Sequence, residues 1–191
     1  MLLALAVIAV IASGALAAVY VLTKGSIDQV NEEKTQTAMT NVLPNFDGTT
    51  EKVEIQARES DKTPVIVNLA YNKDGSPFGA AVETYTDKAF GGTFTIMVGF
   101  DTTGVIIGTA VIKAAETPGL GDKIKTEKFS GQFVEKKLRP WDAPLAVTKD
   151  QGQVDAITAA TISSRAYCDA VNRAAEAYKK VLDQKKKGAT K

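Results

Sequence analysis

The stretch of sequence that decides the fold is TFTIMVGFDTTGVIIGTAVI, residues Thr93–Ile112. It contains two runs rich in β-branched residues, Thr93–Phe100 and Val105–Ile112, separated by DTTG at positions 101–104. Apolar β-branched runs joined by a short segment with Asp and Gly are typical of a β-hairpin. The sequence therefore predicts two neighbouring antiparallel strands in the middle of the chain.

Further strand signals precede this hairpin, and helix signals follow it. The predicted strands are Val53–Ala57, Val65–Tyr71, Phe78–Tyr85 and, after the hairpin, the short run Leu145–Thr148. The predicted helices are Asp122–Phe129 and Ser163–Gln184, and the latter has apolar residues at three- and four-residue spacing. We therefore expect an α+β fold, with antiparallel strands and flanking helices in one globular domain.

The N-terminal segment Leu2–Thr23 is apolar and uncharged over about 22 residues. Because about 20 helical residues cross the hydrocarbon core of a bilayer, residues 1–24 are predicted to form a single transmembrane anchor. A cleaved signal peptide is the alternative, since the ALA at positions 15–17 resembles a cleavage site, although no basic residue precedes the apolar run. An uncharged N-terminus before a large polar domain favours a location of that domain on the outer face of the cell membrane.

The rest of the chain is predicted to contain three further parts. Residues 25–50 are expected to form a helical connector, whose helix over Ser26–Leu43 ends before Pro44. Residues 51–184 are expected to form the globular domain, and residues 185–191 a basic tail in contact with water.

Composition excludes several classes of chemistry. The chain has 191 residues, a formal net charge of +1, no histidine and one cysteine, Cys168. The low charge gives no footprint for nucleic acid. The missing histidines exclude Ser-His-Asp hydrolysis and His-ligated metals, and one cysteine holds neither an iron–sulfur cluster nor a structural zinc. We predict no metal site and no catalytic residue, interpret Cys168 as a packing residue, and expect a bound cofactor to supply any redox chemistry.

The segment DAITAATISSRA, Asp155–Ala166, places several hydroxyl groups at the start of the predicted C-terminal helix. In one interpretation Ser163 or Ser164 caps the free N–H groups of that helix. In the other, the helix N-terminus and the hydroxyl groups bind a phosphate, and the small Ala159 and Ala160 let a bulky group approach. The residues alone leave both interpretations open.

A second segment, ETPGLGDKI at Glu116–Ile124, directly follows the second strand of the hairpin. Pro118 favours a turn, and Gly119 and Gly121 permit positive φ. The segment is either an ordinary tight connection or a surface that offers backbone amides and the Glu116 carboxylate to a planar ligand.

Together the two segments resemble the FMN-binding domain family, which includes the G subunit of the Rnf complex and the C subunit of the sodium-translocating NADH:quinone oxidoreductase. The flavin-attachment motif of that family reads Asp-x-x-(Ser/Thr)-Gly-Ala-Thr, and the matching residues are Asp155, Thr158, Ala160 and Thr161. The family's ETPGLG occurs intact at positions 116–121, and the SSR at 163–165 and the DKI at 122–124 look more like the Rnf members.

The chain departs from the family at two places. Ala159 stands where the family usually has glycine, and Ala114-Ala115 stands where a histidine is common. If position 159 requires positive φ, the alanine costs about 1 kcal/mol relative to glycine.

The resemblance implies that the hydroxyl of Thr161 carries FMN through a phosphoester bond, and that a separate flavin transferase attaches it. Asp155 is implied to belong to the motif that the transferase recognises. The residues expected to contact the cofactor are Thr158, Ala160, Ser163, Ser164, Glu116, Thr117, Gly119, Leu120 and Lys123.

The resemblance also implies a function. It indicates a membrane-anchored electron-transfer subunit of an Rnf-type ferredoxin:NAD⁺ oxidoreductase, coupled to sodium or proton transport, inactive alone and associated with other membrane subunits and lipid. The alternatives are a covalent-FMN subunit of the quinone reductase or of another membrane redox chain, and an assembly module without flavin. A hydrolase is disfavoured, because without histidine its base would be a lysine or carboxylate, and none lies near Thr161 in sequence. Trp141 is interpreted as a packing anchor, and FGG at 90–92 as a turn before a strand.

Overall fold

The computed structural model describes residues 2–188 of the chain. The longer elements are helix α1 (Leu2–Val42), strands β1 (Thr49–Ile55), β2 (Val65–Tyr71), β3 (Pro77–Thr86), β4 (Phe94–Asp101) and β5 (Ile106–Lys113), and helix α4 (Thr161–Gly188). Between β5 and α4 lie four single-turn elements, which are a 3₁₀ helix at Gly121–Lys125, helices α2 (Glu127–Ser130) and α3 (Gln132–Glu135), and a 3₁₀ helix at Thr148–Asp150.

The chain divides into two compact units, one that ends at Gln36 and one that begins at Thr37. The first unit consists of α1 up to Gln36, and its large apolar side chains, such as Leu5 and Ile11, are exposed. Among the described residues, α1 is the one helix long and apolar enough to cross a membrane, with a mean hydropathy of 2.5 over its most apolar window. The second unit contains the sheet and all the other helices.

The five strands form one sheet in the order in which they occur along the chain, and every neighbouring pair is antiparallel. In the turn between β4 and β5, the Asp101 carboxylate accepts hydrogen bonds from the N–H groups of Thr103 (2.8 Å) and Val105 (2.9 Å). Gly104 completes this turn with a φ of +83°. The predicted hairpin and the predicted α+β class are both confirmed.

One predicted strand is wrong. Leu145–Thr148 contributes only a single parallel bridge, between Val147 and Val154, and then enters the 3₁₀ helix at Thr148–Asp150. The physical reason is that this segment bonds to residues that follow it closely in the chain. The N–H of Thr148 donates to the carbonyl of Val154 at 2.8 Å, so the segment does not need a strand of the sheet as partner.

Several element boundaries also differ from the sequence-based expectation. The first strand is Thr49–Ile55 rather than Val53–Ala57, and the predicted helix Asp122–Phe129 is broken by Thr126 into a 3₁₀ turn and α2. Helix α4 begins at Thr161, two residues before the predicted start, and continues to Gly188. The predicted basic tail, 185–191, thus begins inside α4, and its last three residues lie outside the described residues.

The main core lies between one face of the sheet and α4. The Tyr167 ring of α4 is fully buried, with ring centroids 6.2 Å from Phe94, 5.2 Å from Phe129 and 5.1 Å from Phe133. This single side chain therefore joins α4 to the sheet and to the short helices α2 and α3. Burial of large aromatic side chains is a major source of folding free energy.

Polar contacts fix the chain segment before the site against α4. The Asn172 side-chain amide accepts a hydrogen bond from the N–H of Leu145 at 2.8 Å and donates to its carbonyl at 2.9 Å. The Trp141 indole donates to the carbonyl of Ala175 at 3.0 Å, and its ring packs on Tyr178 at 5.3 Å. Trp141 thus anchors a loop to α4, at some distance along that helix from Thr161.

The other face of the sheet is covered at one end by the last turn of α1 and the residue after it. Ala38, Val42 and Leu43 are buried there. Gly99 of β4 and Gly108 of β5 are paired across the strands, and a Cβ at either position would overlap the backbone of Val42. The two glycines therefore form the depression that admits Val42.

We predict that Gly99→Ala destabilises the folded chain by about 1–3 kcal/mol, because a methyl group would force Val42 away from the sheet. Chemical denaturation of the full chain in detergent, followed by circular dichroism, measures the change. Gly188→Ala is the matched control, since a Cβ there meets no atom within 4 Å. Equal stability of the Gly99 variant and the unmodified chain would contradict this account of the packing.

Candidate functional site

The two segments identified in the sequence meet in the structure. The loop after β5 and the start of α4 face each other across a cavity of about 350 Å³. The residues that line it are Phe90, Glu116, Thr117, Leu120, Gly121, Ala159, Ala160, Thr161, Ile162 and Ser163. Six of the predicted site residues are thus brought together: Glu116, Thr117, Leu120, Ala160, Thr161 and Ser163.

The buried carboxylate of Glu116 joins the loop after β5 to the start of α4. The Ser163 hydroxyl donates a hydrogen bond of 2.6 Å to Oε2 of Glu116, and the N–H of Gly91 donates one of 3.0 Å to Oε1. Glu116 is 8% exposed and Ser163 2% exposed. A Cβ at Gly121 would overlap Oε2 of Glu116 and lie 2.7 Å from the Ser163 hydroxyl, so the second glycine of ETPGLG makes room for this pair.

The turn before α4 has a backbone that suits glycine better than alanine. Ala159 has a φ of +61°, which lies in the left-handed region. The N–H of Ala160 donates to the carbonyl of Ile157 at 3.0 Å, which closes the turn. Position 159 therefore does require a positive φ, and alanine in place of the family's glycine is strained there.

The two serines do not cap α4. The Ser164 hydroxyl accepts from the N–H of Ile157 at 3.0 Å and donates to the carbonyl of Ala160 at 3.0 Å. Ser163 bonds to Glu116 instead. The physical reason is the early start of α4, which puts both serines inside its first turn. The residue before the helix is Ala160, which has no side-chain oxygen for a cap.

Thr161 is the first residue of α4 and is half-buried at the edge of the cavity. Its hydroxyl oxygen lies 3.2 Å from the ammonium nitrogen of Lys149, which donates a hydrogen bond to it. The expectation that no lysine lies near Thr161 holds only along the sequence. Lys149 is separated by 12 residues and reaches Thr161 because the chain loops round between Val147 and Val154, which form a parallel bridge.

Three other predicted residues, Asp155, Thr158 and Lys123, line a neighbouring cavity of about 450 Å³. The Asp155 carboxylate forms an ion pair of 2.7 Å with Lys136. The buried Gln132 amide bonds to the backbone of Asp155 twice, accepting from its N–H at 2.7 Å and donating to its carbonyl at 3.2 Å. Gln132, which the sequence analysis did not identify, therefore fixes the position of this loop.

The remaining two predicted residues lie in other surroundings. Gly119 occupies an exposed turn with a φ of +76°. Ser164 is fully buried beneath the turn that it closes. Neither is among the residues that line the cavity.

Exposed apolar side chains surround the cavity. Phe90 is 70% exposed, Ile162 50% and Leu120 42%. Among the described residues from Thr37 onward, Val134 is the only other large apolar side chain that is comparably exposed. Exposure at a loop cannot be inferred from residue type, so the sequence predicts only a turn at Phe90 and no site role for Ile162. Exposed apolar groups concentrated at one concave site indicate a ligand or partner.

The polypeptide itself offers little redox or metal chemistry. Cys168 is buried in α4, and burial raises the pKa of its thiol to about 12. This thiol is therefore a poor nucleophile and a packing residue. Among residues 2–188, no group of three His, Cys, Asp or Glu side chains could hold a metal ion.

Comparison with known proteins connects this site to a family. Residues 89–176, which include both walls of the cavity, match the model of the FMN-binding domain. The chain therefore contains an FMN-binding domain.

Relatives match over almost the whole chain. The G subunit of the ion-translocating oxidoreductase complex of Aliivibrio fischeri is 34% identical over 189 residues, which cover 93% of this chain and 88% of the relative. The protein of the same name from Methanosarcina acetivorans is 34% identical over 172 residues, which cover 89% of this chain and 88% of that protein.

The fold is that of a solved structure. The C subunit of the Na⁺-translocating NADH-quinone reductase from Parabacteroides distasonis superposes with a TM-score of 0.56 at 20% identity, covering 82% of this chain and 96% of that one. The resemblance stated from the two sequence motifs is thus confirmed. The chain belongs to the family of the G subunits of ion-translocating oxidoreductase complexes.

Proposed function

We propose that this chain is the electron-transferring, FMN-carrying subunit of an Rnf-type ferredoxin:NAD⁺ oxidoreductase that is coupled to sodium or proton translocation. The observation that carries the proposal is the meeting of the ETPGLG loop and the start of α4 around one cavity, with the Thr161 hydroxyl at its edge. FMN, when bound, accepts and releases electrons, which the side chains of this chain cannot do.

The residues present fit such a cofactor in two respects. The cavity has the size of small-ligand sites and is lined by the apolar Phe90, Leu120 and Ile162, which suit a flat ring system. Thr161 starts α4, where the first N–H groups have no intrahelical acceptor and the helix dipole favours an anion. Ala160 provides no side-chain cap, so these N–H groups stay available to a phosphate.

These placements support the following roles, which we propose for the individual residues. The Thr161 hydroxyl forms the phosphoester with FMN, and Ser163 acts through Glu116, whose position it fixes. Thr117, Leu120 and Ala160 contact the flavin from the cavity wall. A separate flavin transferase recognises the motif from the side of the neighbouring cavity, where Asp155 and Thr158 lie.

Membrane anchoring is supported by α1, which is long and apolar enough to span a bilayer. We place the FMN-binding domain on the outer face of the membrane, in contact with lipid through α1 and with the other membrane subunits of the complex. A protease added to intact cells, compared with inverted membrane vesicles, tests this orientation. Cleavage of the domain only in inverted vesicles would contradict it.

A second candidate function keeps the covalent flavin and changes the complex. The fold shared with the C subunit of the sodium-translocating NADH-quinone reductase is the observation that favours it. Purification of the tagged chain from its own membranes, with identification of the bound subunits, separates the two complexes. A chain that assembles in its complex without any attached flavin would instead support the assembly-module alternative.

We predict that Thr161→Val abolishes covalent attachment of FMN and leaves the fold intact, because valine has the same shape as threonine and no oxygen. Intact mass and flavin fluorescence in denaturing gels measure attachment. Thr158→Val is the matched control and reduces attachment without abolishing it, since Thr158 lies in the neighbouring cavity. Fluorescence that persists in the Thr161 variant would mean that another residue carries the flavin.

We predict that Ala159→Gly stabilises the chain by about 0.5–1 kcal/mol, because relief of the left-handed strain exceeds the entropy that glycine costs. Urea unfolding of the full chain in detergent measures the change, and intact mass reports the flavinylated fraction, which we expect to rise. Ala160→Gly is the control: its φ is not positive, so glycine there lowers stability. A loss of stability in the Ala159 variant would refute the strain.

A further inference from the structure

Lys149 is held in a rigid turn beside the start of α4. It lies in the 3₁₀ helix Thr148–Asp150, directly after the bridge between Val147 and Val154. The N–H of Gly152 donates to the carbonyl of Val147 at 3.0 Å, and a Cβ at Gly152 would overlap the carbonyl oxygen of Ala146. The backbone on both sides of Lys149 is therefore held by a hydrogen bond and a close approach within the same turn.

A second contact aims this turn at α4. The Asp150 carboxylate accepts two hydrogen bonds of 2.7 Å from the Arg165 guanidinium. Residues four apart on a helix share a face, so Arg165 lies one turn beyond Thr161. With Asp150 fixed on Arg165, its neighbour Lys149 reaches Thr161, where its ammonium nitrogen lies 3.2 Å from the hydroxyl oxygen.

The three cations near the start of α4, which are Arg165, Lys88 and Lys149, differ in their hydrogen-bond partners. Arg165 is paired with Asp150, and the hydrogen bonds from Arg165 lower the pKa of that carboxyl. Lys88, which lines one cavity together with Asp150 and Arg165, is paired with Asp169 at 2.8 Å. Lys149 instead donates its hydrogen bond to a neutral hydroxyl, and its charge acts on the Asp150 carboxyl only through space, where it also helps to lower the pKa.

We propose that Lys149 is the phosphate-binding cation of this site, and that its ammonium group pairs with the phosphate of the FMN attached to Thr161. The inference rests on the proposed function and adds to it a residue outside both sequence motifs. A phosphoester on Thr161 places a negative charge on the group that Lys149 already contacts. Hydrogen bonds between charged partners are about twice as strong as those between neutral ones.

The phosphate specificity of Lys149 can be measured without the covalent bond. The full chain, produced in detergent without a flavin transferase, is titrated with FMN and with riboflavin, which lacks the phosphate. We expect Lys149→Met to weaken FMN binding about tenfold, as expected for the loss of a charged hydrogen bond, and to leave riboflavin binding unchanged. Lys149→Arg retains most of the FMN affinity.

Lys125→Met is the matched control, because Lys125 is also an exposed lysine in a short 3₁₀ helix, whereas the lysine that donates to the Thr161 hydroxyl is Lys149. It should bind both flavins as the unmodified chain does. Equal FMN affinity of the unmodified chain and Lys149→Met, or an equal loss of FMN and riboflavin binding, would overturn the role of Lys149.

A second measurement uses the covalent form and applies even where free FMN binds weakly. The melting temperatures of the flavinylated and unflavinylated chains are compared for the unmodified protein, Lys149→Met and Lys149→Arg. We expect flavinylation to raise the melting temperature less in Lys149→Met than in the other two. Equal gains, with Thr161 flavinylated, overturn the inference about Lys149 alone. Absence of flavin at Thr161, with no binding of either free flavin, overturns the proposed function together with it.

Discussion

The buried carboxylate of Glu116 is the interaction on which the site depends. It accepts hydrogen bonds from Ser163 at the start of α4 and from Gly91 before β4, and thus joins three segments that are distant in sequence. An unpaired buried polar group costs about 1–3 kcal/mol, and more when charged, so the two donors must stay in place. Gly121 supports this arrangement by having no side chain where Glu116 and Ser163 meet.

The sheet explains why these segments can meet. β4 and β5 are paired antiparallel neighbours, so the start of β4 and the end of β5 lie at the same edge of the sheet. Gly91 precedes the first and Glu116 follows the second, which brings both to that edge. α4 packs on one face of the sheet through Tyr167, which contacts Phe94 at the start of β4, so the N-terminal end of α4 lies near the same strand ends. The site is thus a consequence of topology, with the chemistry added by loops.

The strands and the two motif loops could be predicted from the sequence, because their signals are local. The β4–β5 hairpin follows from its β-branched runs and from the turn at Asp101, whose carboxylate closes it. Leu145–Thr148 has the composition of a strand and is not one, because its backbone hydrogen bonds to Val154, a few residues further along the chain, and not to the sheet. Lys149 and Gln132 could not be predicted, because their contacts depend on the loop between Val147 and Val154 and on the packing of α3.

The hydroxyl groups at the start of α4 each have a different contact, which explains why the sequence places several of them there. Ser164 closes the preceding turn, and Ser163 holds Glu116, so both hydroxyls are used inside the protein. Ala160 stands at the capping position without a side-chain oxygen, so the first N–H groups of α4 receive no side-chain cap from it. The Thr161 hydroxyl alone of these three meets a cation at the edge of the cavity. Because the Thr161 hydroxyl bonds to an exposed lysine and not to the core, the covalent attachment proposed at this position would not disturb the packing of the fold.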